Sequence, residues 1–540
     1  YGLATLEQMF DQSVDGTMKV STFEDYAFQK YRGVVEGYYG YPWTVDGTLS
    51  FMDYAKRYKM NVFLYGPKSD PYHLGLWDED YPETVSEEES KNGVRTADEM
   101  AQIAAAATAS KVSFVWVAHP AMQKPIDFTN EETTDEGIAR LMTKFEHMYE
   151  LGVRQFGIFV DDISNDYATS TCDMQIYMLN QVQEQLYAKY NTEGSAPEDQ
   201  VKGLFFTPAW YTTGSSGASS NLPKFQQLHE DIEICFTGSD VFSSISNSSA
   251  TTFKNWIGRT PVMWWNYPVN DYCDGNLMMS PLENLDNDVD NLSGFFLNPM
   301  SQAEASKVAI FSGADYSWNI WDFERTSSWK RAIAELVPEA NEAFERFADN
   351  ISYIKDGFEF DESRYLVEDI TNFQTALKNN MGIKEAAEVL KADFTQMKED
   401  VALLRNINNA NLLEEITMHL NAYEAVAEAG IASMNAFIAA QDGIIDDCLT
   451  NITQTEIKLN ESETYQIESL ETNGTKMNVV KVGEKRIKPL LRDSISQIKD
   501  LLMDTVFPQA NPAVIGTMEG IDEVKVIAAQ GSYTINDVAG

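Results

Sequence analysis

Cationic side chains are scarce in this 540-residue chain: 40 Lys and Arg stand against 83 Asp and Glu, a formal net charge of −43. So acidic a surface repels phosphate backbones and anionic lipids, which excludes nucleic acid and membrane surfaces as leading partners and disfavours polyanionic substrates. Cysteine is scarcer still. The four present, Cys172, Cys235, Cys273 and Cys448, are too scattered for a disulfide scaffold or a paired-cysteine metal site. The five histidines, His73, His119, His147, His229 and His419, show no HExxH or other ligand spacing, so neither a metal nor a cofactor is expected. No apolar run approaches the roughly 20 residues of a spanning helix, so membrane insertion is not expected. The chain begins at Tyr1 rather than Met, and we expect a fragment of a longer protein, its missing start leaving room for a signal peptide.

What the chain does have is a long alternation. From about residue 31, short β-rich runs alternate with amphipathic helical stretches, the pattern of a parallel sheet covered by crossover helices. Eight runs are legible, at 32–40, 60–65, 112–118, 155–160, 203–206, 232–236, 261–265 and 294–297. With no GxGxxG after the first, they fit a (β/α)₈ TIM-type barrel better than an open doubly wound sheet. Thr96 with Glu99 and Ser301 with Glu304 read as capping boxes. One helix puts Ile138, Leu141, Met142, Phe145 and Met148 on a single face, with Gly152 to end it. Residues 271–292 read largely as loop, so the helix before the last strand is expected to be short or irregular.

Beyond about residue 330 the strand signals stop and helical periodicity takes over. Ile383, Ala387, Leu390, Phe394, Met397, Val401 and Leu404 form a stripe at three and four spacing, as do Leu413, Ile416, Leu420 and Tyr423. The fold class is therefore α/β, a barrel followed by an all-α helical bundle. We assign 1–30 to a remnant or linker to a further domain, 31–325 to the barrel and 326–450 to the bundle. Residues 451–540 are left as a polar linker, a helix near 487–502 and an undefined end.

In a parallel barrel the reacting groups sit where strands give way to loops. Here those positions read EGYYG (36–40), YGPKSDPYH (65–73), AHP (118–120), DDIS (161–164), TPAWY (207–211), TG (237–238), WWNYPVND (264–271) and NPM (298–300). Aromatic faces, amides and carboxylates of this kind stack on and hydrogen-bond a sugar. Asp161 and Asp162 follow the fourth strand directly. Two carboxylates so close favour sharing one proton, which raises one apparent pKa toward a general acid's range while the partner stays anionic. The bland alternative is that one Asp caps the next helix and the other is solvated. Lys68, just past a strand, is either a surface lysine or a hydroxyl-binding group. Trp264 and Trp265 alternate faces, so only one should reach a ligand.

At these motifs the sequence resembles glycoside hydrolase family 84, the β-N-acetylglucosaminidases, O-GlcNAcases and hyaluronidase-like enzymes. RGVVEGYYGYPW, YGPKSDPYH, FVDDIS, WWNYPVND, LNPMSQAEASK and DYSWNIWD occur in family order over roughly residues 31–321. The resemblance implies substrate-assisted retention, in which the substrate's own 2-acetamido oxygen attacks the anomeric carbon. It assigns Asp161 to the acetamide N–H and Asp162 to protonating the leaving oxygen and then activating water. Tyr211 is matched to the acetamide oxygen, and Trp264, Thr237 and Val241 to the acetyl methyl. Gly37, Lys68, Asn266 and Asp271 are matched to the sugar hydroxyls, and Asn298 to the reacting centre. The chain departs from the family pattern at Ala209 and Trp210 before Tyr211, and at Ser69 after the lysine.

The resemblance further implies an exo-acting enzyme whose partner is a glycan or glycoprotein with terminal β-linked GlcNAc, O-GlcNAc on peptides included. It also implies a secreted or surface-attached bacterial protein with appended carbohydrate-binding modules. The rival readings are an endo-acting hyaluronidase, which the acidic charge disfavours, and a catalytically silent carbohydrate-binding protein.

Overall fold

One buried cluster takes residues from eight different strands, among them Val35, Leu64, Val117, Phe159, Phe205, Cys235, Trp264 and Phe296. Where a strand contributes two, they are two apart, as Val62 with Leu64 and Val115 with Val117 are. Since side chains alternate faces along a strand, such a set shares a single interior only if the sheet closes on itself. The computed structural model shows that closure, and describes residues 1–506 apart from 14–15, 18–21, 23, 355–359 and 472–473. The strands are β1 (Tyr31–Glu36), β2 (Val62–Tyr65), β3 (Ser113–Ala118), β4 (Gln155–Phe159), β5 (Phe205–Thr207), β6 (Glu233–Phe236), β7 (Val262–Pro268) and β8 (Gly294–Asn298). They run in sequence order as a closed parallel barrel, β8 pairing back onto β1 with Val34 opposite Leu297.

Helix α1 (Gly2–Asp11) precedes the barrel. Around the strands come α2 (Val45–Arg57), α3 (Glu87–Lys91), α4 (Ala97–Ser110), α5 (Glu131–Glu150), α6 (Asn165–Tyr190), α7 (Ala218–Asn221), α8 (Asn247–Ile257), α9 (Ala303–Trp318) and α10 (Arg325–Leu336). Thr96 and Glu99 form the capping box expected of them. Ser301 and Glu304 do not: the N-cap is Gln302, and the buried Glu304 carboxylate bonds Ser50 at 2.7 Å and Lys307 at 2.5 Å instead of reaching back. Residues 269–293 hold no helix at all, not even a short one. A bridge between Ile245 and Leu285 and the Asn270 side-chain bond to the Asn276 carbonyl organise that segment as loop.

The chain divides into two compact units, the first comprising 1–338, 354–360 and 468–478 and the second 339–353, 361–467 and 479–540. The second holds α11 (Asn341–Ala348), α12 (Val367–Asn379), α13 (Ile383–Leu404), α14 (Ala410–Gln441), α15 (Ile445–Ser462) and α16 (Ile487–Val506). Every residue of the first predicted stripe is buried along α13; in the second, Leu412 takes the core place expected of Leu413. The polar stretch read as linker is different. Residues 451–462 continue α15, whose Thr450, Thr453 and Thr455 hydroxyls bond carbonyls one turn back. Strand signals also resume, as β9 (Gln466–Glu471) and β10 (Gly474–Val479) form a two-stranded sheet. Residues 507–540, the undefined end, lie outside the described residues. No helix among the described residues is long and apolar enough to cross a membrane.

Candidate active site

The eleven residues singled out from sequence line one cavity of about 990 Å³ where the barrel strands end. Backbone geometry explains how adjacent carboxylates come to share it. Asp162 has a φ of 57°, the left-handed region that Asp and Asn tolerate better than most residues, and this turns the chain sharply as β4 ends. The cap of α6 is Ser164, whose hydroxyl accepts from the Tyr167 N–H at 3.3 Å, so neither aspartate is spent on capping.

The two carboxylates meet unlike surroundings. Asp161 is buried, with one oxygen, Oδ2, accepting from Lys68 Nζ at 2.7 Å. Its other oxygen, Oδ1, is buried without a hydrogen-bond partner. His119 Nε2 lies 3.3 Å from it but donates to the Asp161 main-chain oxygen at 3.0 Å. Burial pushes the Asp161 carboxyl up, and the Lys68 charge together with His119 outweighs it, holding the group well below the usual carboxylate range. The asymmetry expected from mutual repulsion is therefore set by Lys68 and His119 rather than by Asp162. Asp162 is exposed at the cavity mouth, where Tyr211 donates to Oδ1 at 2.9 Å and Tyr39 to Oδ2 at 2.8 Å. Burial first, and the Asp162 charge second, raise both phenols, so both remain donors.

Lys68 is held by its loop. Asp70 accepts from the Tyr65 hydroxyl at 2.9 Å, the Tyr81 hydroxyl at 2.7 Å and the Tyr72 N–H at 2.8 Å, pinning the turn that follows β2. His73 donates from Nδ1 to the Val117 carbonyl at 2.8 Å; burial, then the charges of Lys68 and His119, drop its pKa well below the ordinary value and keep it neutral. Lys68 lines the cavity, but its ammonium is committed to Asp161 rather than standing free for a hydroxyl.

Opposite, β7 and β8 lose register between Trp265 and Pro268, a bulge that aims Asn266 away from the ladder. Asn266 Oδ1 accepts from Trp264 Nε1 at 2.9 Å and from Asn298 Nδ2 at 3.0 Å, while its Nδ2 donates to the Val241 carbonyl at 2.9 Å. The Gly37 N–H reaches Asn298 Oδ1 at 3.3 Å, and a Cβ at Gly37 would run into the Trp264 ring. Trp264 faces the cavity; Trp265 packs behind it, donating to the Ser243 carbonyl at 3.0 Å. Asp271 accepts from the Tyr39 N–H at 3.0 Å, and burial, then the nearby carboxylates, push its pKa up to about 6. Thr237 donates to the Asp240 carbonyl at 2.8 Å. At the departures from the family pattern, Trp210 is fully buried beside Phe225 and Ser69 lines the cavity.

Tyr39 and His119 were not singled out from sequence, although both stand in strand-end motifs, EGYYG and AHP. Position after a strand was the signal that could have found them. Among the described residues no cluster of three or more His, Cys, Asp or Glu could hold a metal ion.

A family model described as beta-N-acetylglucosaminidase matches residues 32–349, and one described as hyaluronidase post-catalytic domain-like matches 365–467. The chain is 26% identical over 298 residues to Protein O-GlcNAcase of Rattus norvegicus and to that of Mus musculus, covering 53% of this chain and 29% of each relative. It thus spans under a third of the length of those curated relatives. Among solved structures, CpGH84D matches with a TM-score of 0.83 at 28% identity, covering 93% of this chain and 80% of that one. CpGH84B matches at 0.74 and 29%, covering 87% and 78%. An O-GlcNAc hydrolase mutant of Thermobaculum terrenum superposes at 0.74 with 21% identity over 91% of this chain and 100% of that one, which bears on the fold alone.

Proposed function

The chain belongs to the β-N-acetylglucosaminidase family, glycoside hydrolase family 84, and is a glycoside hydrolase; from that premise we propose that it removes terminal β-linked GlcNAc with retention, by substrate-assisted catalysis. The observation that carries this reading is Asp161. One of its oxygens is neutralised by Lys68 and the other is buried and unbonded, which is what a substrate acetamide N–H needs as an acceptor. Its depressed pKa keeps it anionic while positive charge grows on the acetamide carbon and nitrogen.

In the first step the acetamide oxygen forms a bond to the anomeric carbon as the glycosidic C–O bond breaks, and Asp162 gives its proton to the departing oxygen. In the second, water adds to the anomeric carbon, its proton goes to the Asp162 carboxylate, and the bond to the acetamide oxygen breaks. Two inversions give net retention. Tyr211 and Tyr39 steer the Asp162 carboxylate, and once substrate enters, the Tyr211 hydroxyl is free to turn to the acetamide oxygen. An exo mode is supported by the linked wall of Gly37, Asn298, Asn266 and Trp264, with Asp271 tied to Tyr39 beside it.

Substrates with mono-, di- and trifluorinated acetyl groups test the reading, since each fluorine weakens the acetamide oxygen as nucleophile. We expect kcat/KM to fall steeply along the series, with the β-anomer of GlcNAc as first product by NMR. A flat series or the α-anomer would overturn the mechanism. A hyaluronidase would have to draw a polyuronate into a cavity lined by Asp162, Asp271 and Asp274, which disfavours that alternative. Secreted or surface-bound location in a bacterium, and appended carbohydrate-binding modules, belong to the same proposal; cell fractionation and sequencing of the complete gene test them.

A further inference from the structure

Strands β9 and β10 belong to the barrel unit for residues 468–478, although they come more than a hundred residues after the barrel ends. Neither family model reaches past residue 467. Three barrel segments hold this excursion. Glu468 accepts from the Tyr41 hydroxyl at 2.7 Å and from Lys91 Nζ at 2.9 Å, and the Ser469 hydroxyl donates to Asp274 at 3.2 Å. So anchored, Leu470, Glu471 and Gly474 line the same cavity as the catalytic carboxylates.

A cavity of about 990 Å³ lies at the upper end of the ~300–1,000 Å³ range for small-molecule sites and exceeds what one sugar ring fills. Beyond the residues of the sugar wall, its lining takes in Val94, Met122 and Leu470, aliphatic rather than aromatic, and Glu471, which follows Leu470 directly in the chain. Among the described residues lining the cavity, Lys68 is the one cation, and it is taken up by Asp161. Asp271, Asp274 and Glu471 leave the rest acidic. Lys476 lies 3.9 Å from Glu471, with both side chains at least half exposed, so water screens that pair.

We propose that Leu470 and Glu471 of β9 form a leaving-group subsite that favours neutral or cationic leaving groups over anionic ones. This rests on the glycosidase reading above and adds to it a specificity element outside the matched family segments. A leaving group with aliphatic and basic character, such as a Lys-flanked glycosylated serine in a peptide, meets aliphatic lining and carboxylates; an acidic one meets repulsion that the exposed, water-screened Lys476 relieves little and no uncommitted cation among the described residues lining the cavity offsets.

The test uses the whole chain and three matched peptides with one β-O-GlcNAc serine flanked by Lys, Ala or Asp. At low ionic strength we expect kcat/KM for the Lys peptide to exceed that for the Asp peptide by about tenfold, contracting as salt is raised to about 0.5 M. Glu471→Gln should narrow the ratio to about threefold and Glu471→Lys should bring it to parity or reverse it. Glu471 is exposed on a strand edge, so neither change threatens folding. Equal cleavage of the Lys and Asp peptides, or a preference that both variants leave intact, sinks the inference alone. No GlcNAc release by the wild type from these peptides or from a small aryl β-GlcNAc glycoside sinks the glycosidase reading with it.

Discussion

Two buried ion pairs, one in each compact unit, are built to opposite ends. In the helical unit Arg346 grips Asp400 with two bonds, Nε and a terminal nitrogen each at 2.7 Å, and Gln396 adds a third at 3.0 Å. Asp400 is 0% exposed and both of its oxygens are bonded. In the barrel, Lys68 holds one oxygen of Asp161 and leaves the other bare. An unbonded buried carboxylate oxygen costs stability, of the order of 1–3 kcal/mol. A pair that serves the fold closes its hydrogen bonds; a pair that awaits a substrate leaves one open.

The most drastic way to sharpen the contrast is beside the open pair. Asp162→Asn keeps the left-handed backbone, which Asn tolerates, and removes the transferable proton. We expect kcat/KM to fall by about 10²–10⁴ for substrates with poor leaving groups and far less for activated aryl glycosides. A loss equal across leaving groups would contradict the acid role. Lys68→Met comes next, with a loss of about 10²–10³ in kcat/KM. Lys68 depresses the Asp161 pKa, so its removal raises it, and the anion is then lost at higher pH. The acid limb of the pH–rate profile should move upward, whereas a lysine that only bound a hydroxyl would change KM and leave that limb in place. In the closed pair, Asp400→Asn should cost about 3 kcal/mol in a urea titration, at the low end for a broken buried pair because Arg346 is 26% exposed and can be rehydrated. Its activity per folded molecule should not change. A large fall there would break the division of labour.

Much of this was readable beforehand because barrel strands advertise themselves. Runs such as Val112–Ala118 and Gln155–Val160 are apolar on both faces, and the parallel architecture puts function at their ends. The cavity residues were therefore legible as positions. Their partners were not. That Lys68 turns to Asp161, and that Tyr39 reaches Asp162 across 123 positions of sequence, depends on how loops fold over the mouth, which no local pattern encodes. The excursion at 466–479 was missed for a related reason. Its strands are mostly exposed, so they lack the apolar alternation that marks a half-buried strand, and polar QIESLE and GTKMNV read as linker. In 451–462, threonines bonding back into the helix hid helical structure behind a loop-like composition.

The smallest effect separates fold from function within one residue. Asp271 sits in the barrel cavity with its pKa raised to about 6, against about 3.9 for an unperturbed aspartate. Between those values the folded state holds a proton that the unfolded state has lost, so folding is favoured below about pH 4 and that contribution disappears as pH rises through about 6. Activity should run the other way. As an acceptor for sugar hydroxyls the anion is the useful form, and kcat/KM should climb several-fold as pH rises through about 6. Asp271→Asn has no charge to bury. It should flatten that limb, lower kcat/KM several-fold at pH 7 and raise the melting temperature there by a small, measurable amount. If the variant melts lower at pH 7, Asp271 resembles Asp400 after all, a carboxylate kept for the fold rather than tolerated at its expense.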